Sequence, residues 1–106
     1  MTATLLAIFK RPEGGEDALD EFMGRYLDEH MPLIEMVPGL RSSVVERVAQ
    51  HYAGDDIVVV TRIEFDDRAA LEAGMASDEM RVAGRNLREI APGLLTLVAL
   101  EEEPVS

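Results

Sequence analysis

The chain has no cysteine. That absence excludes disulfides, thiolate nucleophiles, iron–sulfur clusters and cysteine-bound zinc. Tryptophan is also absent, and there are only two tyrosines and three phenylalanines. Leucine, valine, isoleucine, alanine and methionine must therefore fill the core. Bases are scarce as well: ten lysines and arginines stand against 21 acids, for a formal net charge of -11 at pH 7. Such a field repels phosphate backbones and anionic lipid surfaces, so neither nucleic acid nor a membrane is an expected partner. An anionic ligand in a local basic pocket remains compatible with this charge. No apolar run reaches the length of a membrane span. The apolar stretch within Met1 to Lys10 is too short for a signal peptide and has no basic leading region. The expectation is a cytoplasmic protein.

What is present reads as a folded domain. Hydrophobic residues make up 47% and charged residues 29% of the 106 residues, a size and composition that fit one domain over 1–106. A core of that size is modest, which favours further burial in an oligomer.

Thr4 to Phe9 is a short apolar run closed by Lys10-Arg11-Pro12 and reads as a buried strand. Pro12-Glu13-Gly14-Gly15 is a turn. Glu16 to Glu29 follows helical spacing, with Leu19, Phe22, Met23, Tyr26, Leu27 and His30 on one stripe. Arg25 and Glu29 stand one turn apart and can pair. Pro32 prevents this helix from running on cleanly, and Val37-Pro38-Gly39 marks the next turn. Leu40 to Gln50 alternates as a strand. His51 to Asp56 is a loop, in which His51 and Tyr52 are read as exposed.

Ile57 to Phe65 is the strongest strand signal, being mostly β-branched. Asp66-Asp67 caps a helix, and Ser77-Asp78-Glu79 caps another after a break near Gly74 to Ser77. Pro92-Gly93 stops the helical region. Leu94 to Leu100 is the last strand, followed by an acidic tail. The order strand, helix, strand, strand, helix, strand predicts an α+β, ferredoxin-like βαββαβ fold. It has a four-stranded antiparallel sheet with both helices on one face. The strands are apolar on both faces, so the uncovered face is an association surface, and a homodimer packed sheet to sheet is expected.

The pattern Tyr-x-x-x-His-x-Pro-Leu, formed by Tyr26, His30, Pro32 and Leu33 and followed by Pro38-Gly39-Leu40, resembles the EthD family of the dimeric α+β-barrel superfamily. Lys10-Arg11 after strand one and Phe22 before Tyr26 match as well. So do Ile63 to Asp67, Ala76 to Glu79, and Ala91-Pro92-Gly93, all in the right order. Gly54-Asp55-Asp56-Ile57 departs from the pattern, because relatives often carry aromatics there. The resemblance implies a cavity between the sheet and the first helix of each subunit. It also implies a small hydrophobic ligand and often no cofactor; none is expected here. Superfamily members include isomerases, polyketide cyclases, cofactor-independent monooxygenases and proteins of unassigned role beside degradation pathways.

His30 is the candidate general acid or base, since its ordinary pKa lies near neutrality. The helix carboxyl end favours its cation, and an apolar pocket favours the neutral ring. Tyr26, one turn earlier, is placed to donate to a ligand oxygen or to the imidazole. The alternative is a structural His30 that caps the helix end. Arg62 and Glu64 share one face of the strongest strand. They would bind an acidic group if that face lines the cavity, or would form a cross-strand pair at the strand end or dimer seam. Phe22 is a candidate ligand contact. No metal-ligand spacing is present. Ser42, Ser43 and Ser77 have no nucleophile pattern around them. Two functions follow. One is a cofactor-independent enzyme of isomerase, cyclase, dehydratase or monooxygenase type, acting on a small hydrophobic carbonyl or aromatic compound. The other is a non-catalytic binding or accessory protein for such a metabolite. A third possibility is a purely structural dimer with a filled cavity.

Overall fold

Side chains along β1 (Ala3–Lys10) alternate between buried Ala3, Leu5, Ala7 and Phe9 and half-buried Leu6 and Ile8. Period-two alternation places the first set on one sheet face and the second on the other. The computed structural model describes residues 2–104, and Met1, Val105 and Ser106, the last two ending the expected tail, lie outside the described residues. The other strands are β2 (Leu40–Arg47), β3 (Ile57–Phe65) and β4 (Leu95–Leu100). They pair antiparallel in the order β2-β3-β1-β4, with Ala7 opposite both Thr61 and Leu97. This is the ferredoxin-like sheet that the element order predicts.

The helices are α1 (Gly15–Arg25), α2 (Met31–Ile34), α3 (Arg68–Met75) and α4 (Asp78–Ile90). Asp67 caps α3 by accepting from the Ala70 amide at 2.8 Å, and Ser77 caps α4 by accepting from the Met80 amide at 3.1 Å. The molecule's shortest extent is 19 Å. That is room for one helix layer on one sheet, so the second sheet face is uncovered. Val44, Val98 and Leu100 are exposed there.

Pro32 interrupts the first helix, as expected, without ending it; what changes is the form of the interruption. Between α1 and α2 the chain widens into a π-helical turn, Tyr26–His30, and the Met31 amide donates to the Tyr26 carbonyl five residues back. Proline has no amide to donate and its ring crowds the carbonyl one turn earlier, so an extra residue in the turn relieves both problems. The widening turns Leu27, placed on the buried stripe by helical spacing, out to 48% exposure.

Candidate functional site

A cavity of about 580 Å³ lies between the sheet and α4. Its floor is Leu5, Ala7, Ile63, Leu95 and Leu97, and its inner wall is Tyr26, His30 and Ile34. Two features open the space. Ala7 is small where its neighbours on the same face are leucine and phenylalanine. The main packing partners of α4 are the wide turn, α2 and α3 rather than the strands. Leu95 and Leu97 point toward the helix side and stay 37% and 39% exposed, so the cavity opens beside the edge strand β4.

The wide turn places the His30 ring over that of Tyr26, centroids 5.2 Å apart and planes 21° from parallel. Only 4% of His30 is exposed. Its Nδ1 lies 3.3 Å from Asn86 Oδ1 on α4. Asn86 Nδ2 donates to Glu29 Oε1 at 3.3 Å, and Glu29 accepts two bonds from Arg25 at 2.8 and 3.0 Å. This chain of contacts sets the tautomer. Glu29 is held ionised by Arg25, below the usual carboxylate range, and can only accept. Asn86 must turn its amide NH2 toward it and its oxygen toward His30. Nδ1 then carries the proton, and Nε2 keeps its lone pair. Burial pushes the His30 pKa down, opposed by the Asn86 bond and the Ala83 backbone.

Tyr26 is 1% exposed, and its hydroxyl lies 2.5 Å from the fully buried Thr61 Oγ1. Burial pushes the phenol up to about 12, against the pull of the Thr61 bond. That hydroxyl is engaged with Thr61, and either of the two oxygens can be the donor. Tyr26→Phe is expected to cost about 1–3 kcal/mol by stranding Thr61, and Thr61→Val a similar amount, whereas the double variant should lose less than the sum of the two single losses. Urea unfolding of all four proteins checks this. Simple additivity would mean the two hydroxyls do not depend on each other.

Phe22 is buried against Phe9 at 5.4 Å and Tyr26 at 5.5 Å between ring centroids, behind the cavity wall rather than on it. Arg62 and Glu64 lie on the open sheet face, opposite to Thr61 and Ile63, and do not line this cavity. The strand's period of two decides that. Neither forms an ion pair among the described residues. His51 accepts a loop role: its Nε2 lies 3.0 and 2.9 Å from the carbonyls of Gly54 and Asp55. Among the described residues no group of three or more His, Asp or Glu side chains stands close enough to hold a metal ion. Asn86 and Thr61 are site residues that sequence patterning does not single out. Each is a polar residue inside an otherwise ordinary amphipathic element.

A solved EthD (ethyl tert-butyl ether D) family protein from Bacillus halodurans is 32% identical over 97% of this chain and 100% of that one, with a TM-score of 0.82. The chain belongs to the EthD family. Other similar structures share the fold at lower identity. One is a dimeric ferredoxin-like protein of unknown function from Jannaschia sp., 23% identical over 96% of this chain and all of that one, TM-score 0.69. Another is a DABB family protein with a ferredoxin-like fold from Mesorhizobium loti, 15% identical over both full chains, TM-score 0.68. No family model and no curated protein matches the chain. No helix among the described residues is long and apolar enough to cross a membrane.

Proposed function

We propose that this EthD-family protein is a cofactor-independent enzyme that moves a proton on a small hydrophobic carbonyl or aromatic compound, with His30 as general acid–base. The reaction is of isomerase, cyclase, dehydratase or monooxygenase type. The observation that carries the reading is a buried histidine, its Nδ1 engaged by Asn86, in the wall of an apolar cavity large enough for a small molecule. Lowered by burial, the ring is neutral at pH 7 and presents Nε2 as the proton acceptor. Tyr26 acts by holding the imidazole plane through stacking, with its own hydroxyl kept by Thr61.

The second reading, a binding or accessory protein for a hydrophobic metabolite, draws support from that same Tyr26–Thr61 bond. It engages the Tyr26 hydroxyl, the group the enzyme reading would use on a developing oxyanion. Under both readings the protein works as a homodimer through the open sheet face, and sedimentation should return twice the chain mass of 11.7 kDa.

The test is an NMR titration of both histidines with a panel of small aromatic ketones, aldehydes and lactones. His51, in its exposed loop, is the internal control. Shifts of the His30 ring signals alone, with product formed, support the enzyme; shifts without product support the accessory role. A panel that moves neither ring, or moves both equally, counts against a ligand site at His30.

A further inference from the structure

The cavity's charge is opposite in sign to that of the protein. Acids outnumber bases 21 to ten along the chain, yet the lining holds two arginines, Arg81 and Arg88, and no aspartate or glutamate. The two arginines differ in what they do. Arg81 is paired with Asp78 at 2.7 Å, one turn back on α4. Arg11, Arg25, Arg41 and Arg68 are likewise paired with carboxylates at 2.8 to 3.3 Å. Arg88, like Arg47, Arg62 and Arg85, has no carboxylate partner among the described residues, and of these four it alone lines the cavity. Its own helix offers it no acid one turn away, where Gly84, Arg85, Ala91 and Pro92 stand.

The arginine also has a direction. Side chains on a helix lean toward its N-terminus and cover the preceding turn. Here that turn carries Gly84, and a β-carbon built on Gly84 would lie 3.7 Å from Arg88 Nη1. The guanidinium thus lies over a bare stretch of α4 on the exposed side of the cavity, with no hydrogen-bond partner among the described residues, and Leu95, Leu97 and His30 line the same space. Guanidinium is the side chain best shaped to hold a carboxylate through two parallel bonds.

We propose that the ligand of this cavity is an apolar carboxylate, its acid group held by Arg88 on the exposed side and its hydrocarbon body directed inward to His30. This rests on the reading of the cavity as a small-molecule site and adds the ligand's charge to it. In a protein of net charge -11 the long-range field disfavours any anion. Anion selectivity, if measured, must therefore be local.

The experiment compares 2-naphthoate with 2-naphthalenemethanol, which shares the ring system and lacks the charge. Calorimetry gives affinity, and the His30 ring signals report location. Naphthoate should bind about tenfold tighter at low salt, shifting His30, and the gap should narrow as salt rises. Arg88→Gln should remove that preference and leave the alcohol's affinity unchanged. Arg85→Gln, at an arginine of the same helix that has no ion pair among the described residues and does not line the cavity, should retain it. Equal affinity for the two compounds, a preference that survives Arg88→Gln, or naphthoate binding without a shift of His30 overturns the proposal while leaving the cavity reading standing. Binding of neither compound overturns both.

Discussion

Replacing His30 with glutamine is expected to lower the turnover of any compound this protein converts by about 10²–10⁴-fold, the usual contribution of a positioned general acid or base. The size of the loss follows from what else lines the cavity. Tyr26 is pushed up to about 12 and bonded to Thr61, so it cannot take the proton. Arg81 and Arg88 do not release theirs. The Ser77 hydroxyl serves the Gly74 carbonyl at 2.6 Å and the Met80 amide. No neighbour substitutes for the imidazole. Glutamine keeps a polar group within reach of Asn86, so the fold should persist.

The pH dependence gives a second readout. The imidazole accepts a proton only when neutral, and burial sets its pKa below the ordinary 6.5. The wild-type rate should fall on the acid side of that value, and the variant's residual rate should lack this limb. Stability follows the same sign. A base whose pKa is depressed in the folded state binds protons more readily when unfolded. Wild type therefore loses stability as pH falls below about 6.5, and the variant should show a flatter curve. A rate loss under tenfold, or an acid limb that survives the substitution, would remove His30 from the chemistry.

Phe9→Ala carries the largest expected stability effect, a loss of about 3–5 kcal/mol. Phe9 is completely buried, with its ring 5.4 Å from Phe22 and 5.0 Å from Tyr26 in tilted and edge-on contacts. The strand β1 and the helix around it are rigid elements that close poorly over a missing ring, so most of the void should remain. Against a total stability of about 5–15 kcal/mol for a domain of this kind, that loss is severe. The consequence reaches the site, because Phe9 supports the Tyr26 ring on which His30 stacks. In protein that still folds, His30 should regain solvent and its pKa should rise back toward the ordinary value. Urea unfolding at pH 7 with an NMR titration of His30 measures both. A loss below about 1 kcal/mol would mean the aromatic cluster is not what holds this wall in place.

Much of the fold was legible in the chain. Alternation in Ala3–Lys10 and the β-branched run Ile57–Phe65 mark their strands, and Asp67 and Ser77 mark the starts of α3 and α4 at the residues where the caps form. The site was legible in part. Helical spacing already puts Tyr26 and His30 on one face. It misplaces Leu27, because the demand of Pro32 is met by widening the turn rather than by stopping the helix. Arg62 and Glu64 share a strand face as the period of two requires, and it is the open face rather than the cavity's.

Two kinds of information separate here. Local periods, caps and turn residues act over a few neighbouring positions, so the sequence by itself determined the order of the four strands and of the helices after β1 and β3, the apolar character of both sheet faces and the acidic field. The site depends on contacts between residues far apart in the chain. His30 meets Asn86 56 positions away, and Tyr26 meets Thr61 35 positions away. The cavity exists because α4 stands off from the sheet above Ala7, and Arg88 is left without an acid where that gap opens. Only the tertiary structure decided these, because how two layers pack depends on the volume and shape of all their facing side chains together, which no local pattern encodes.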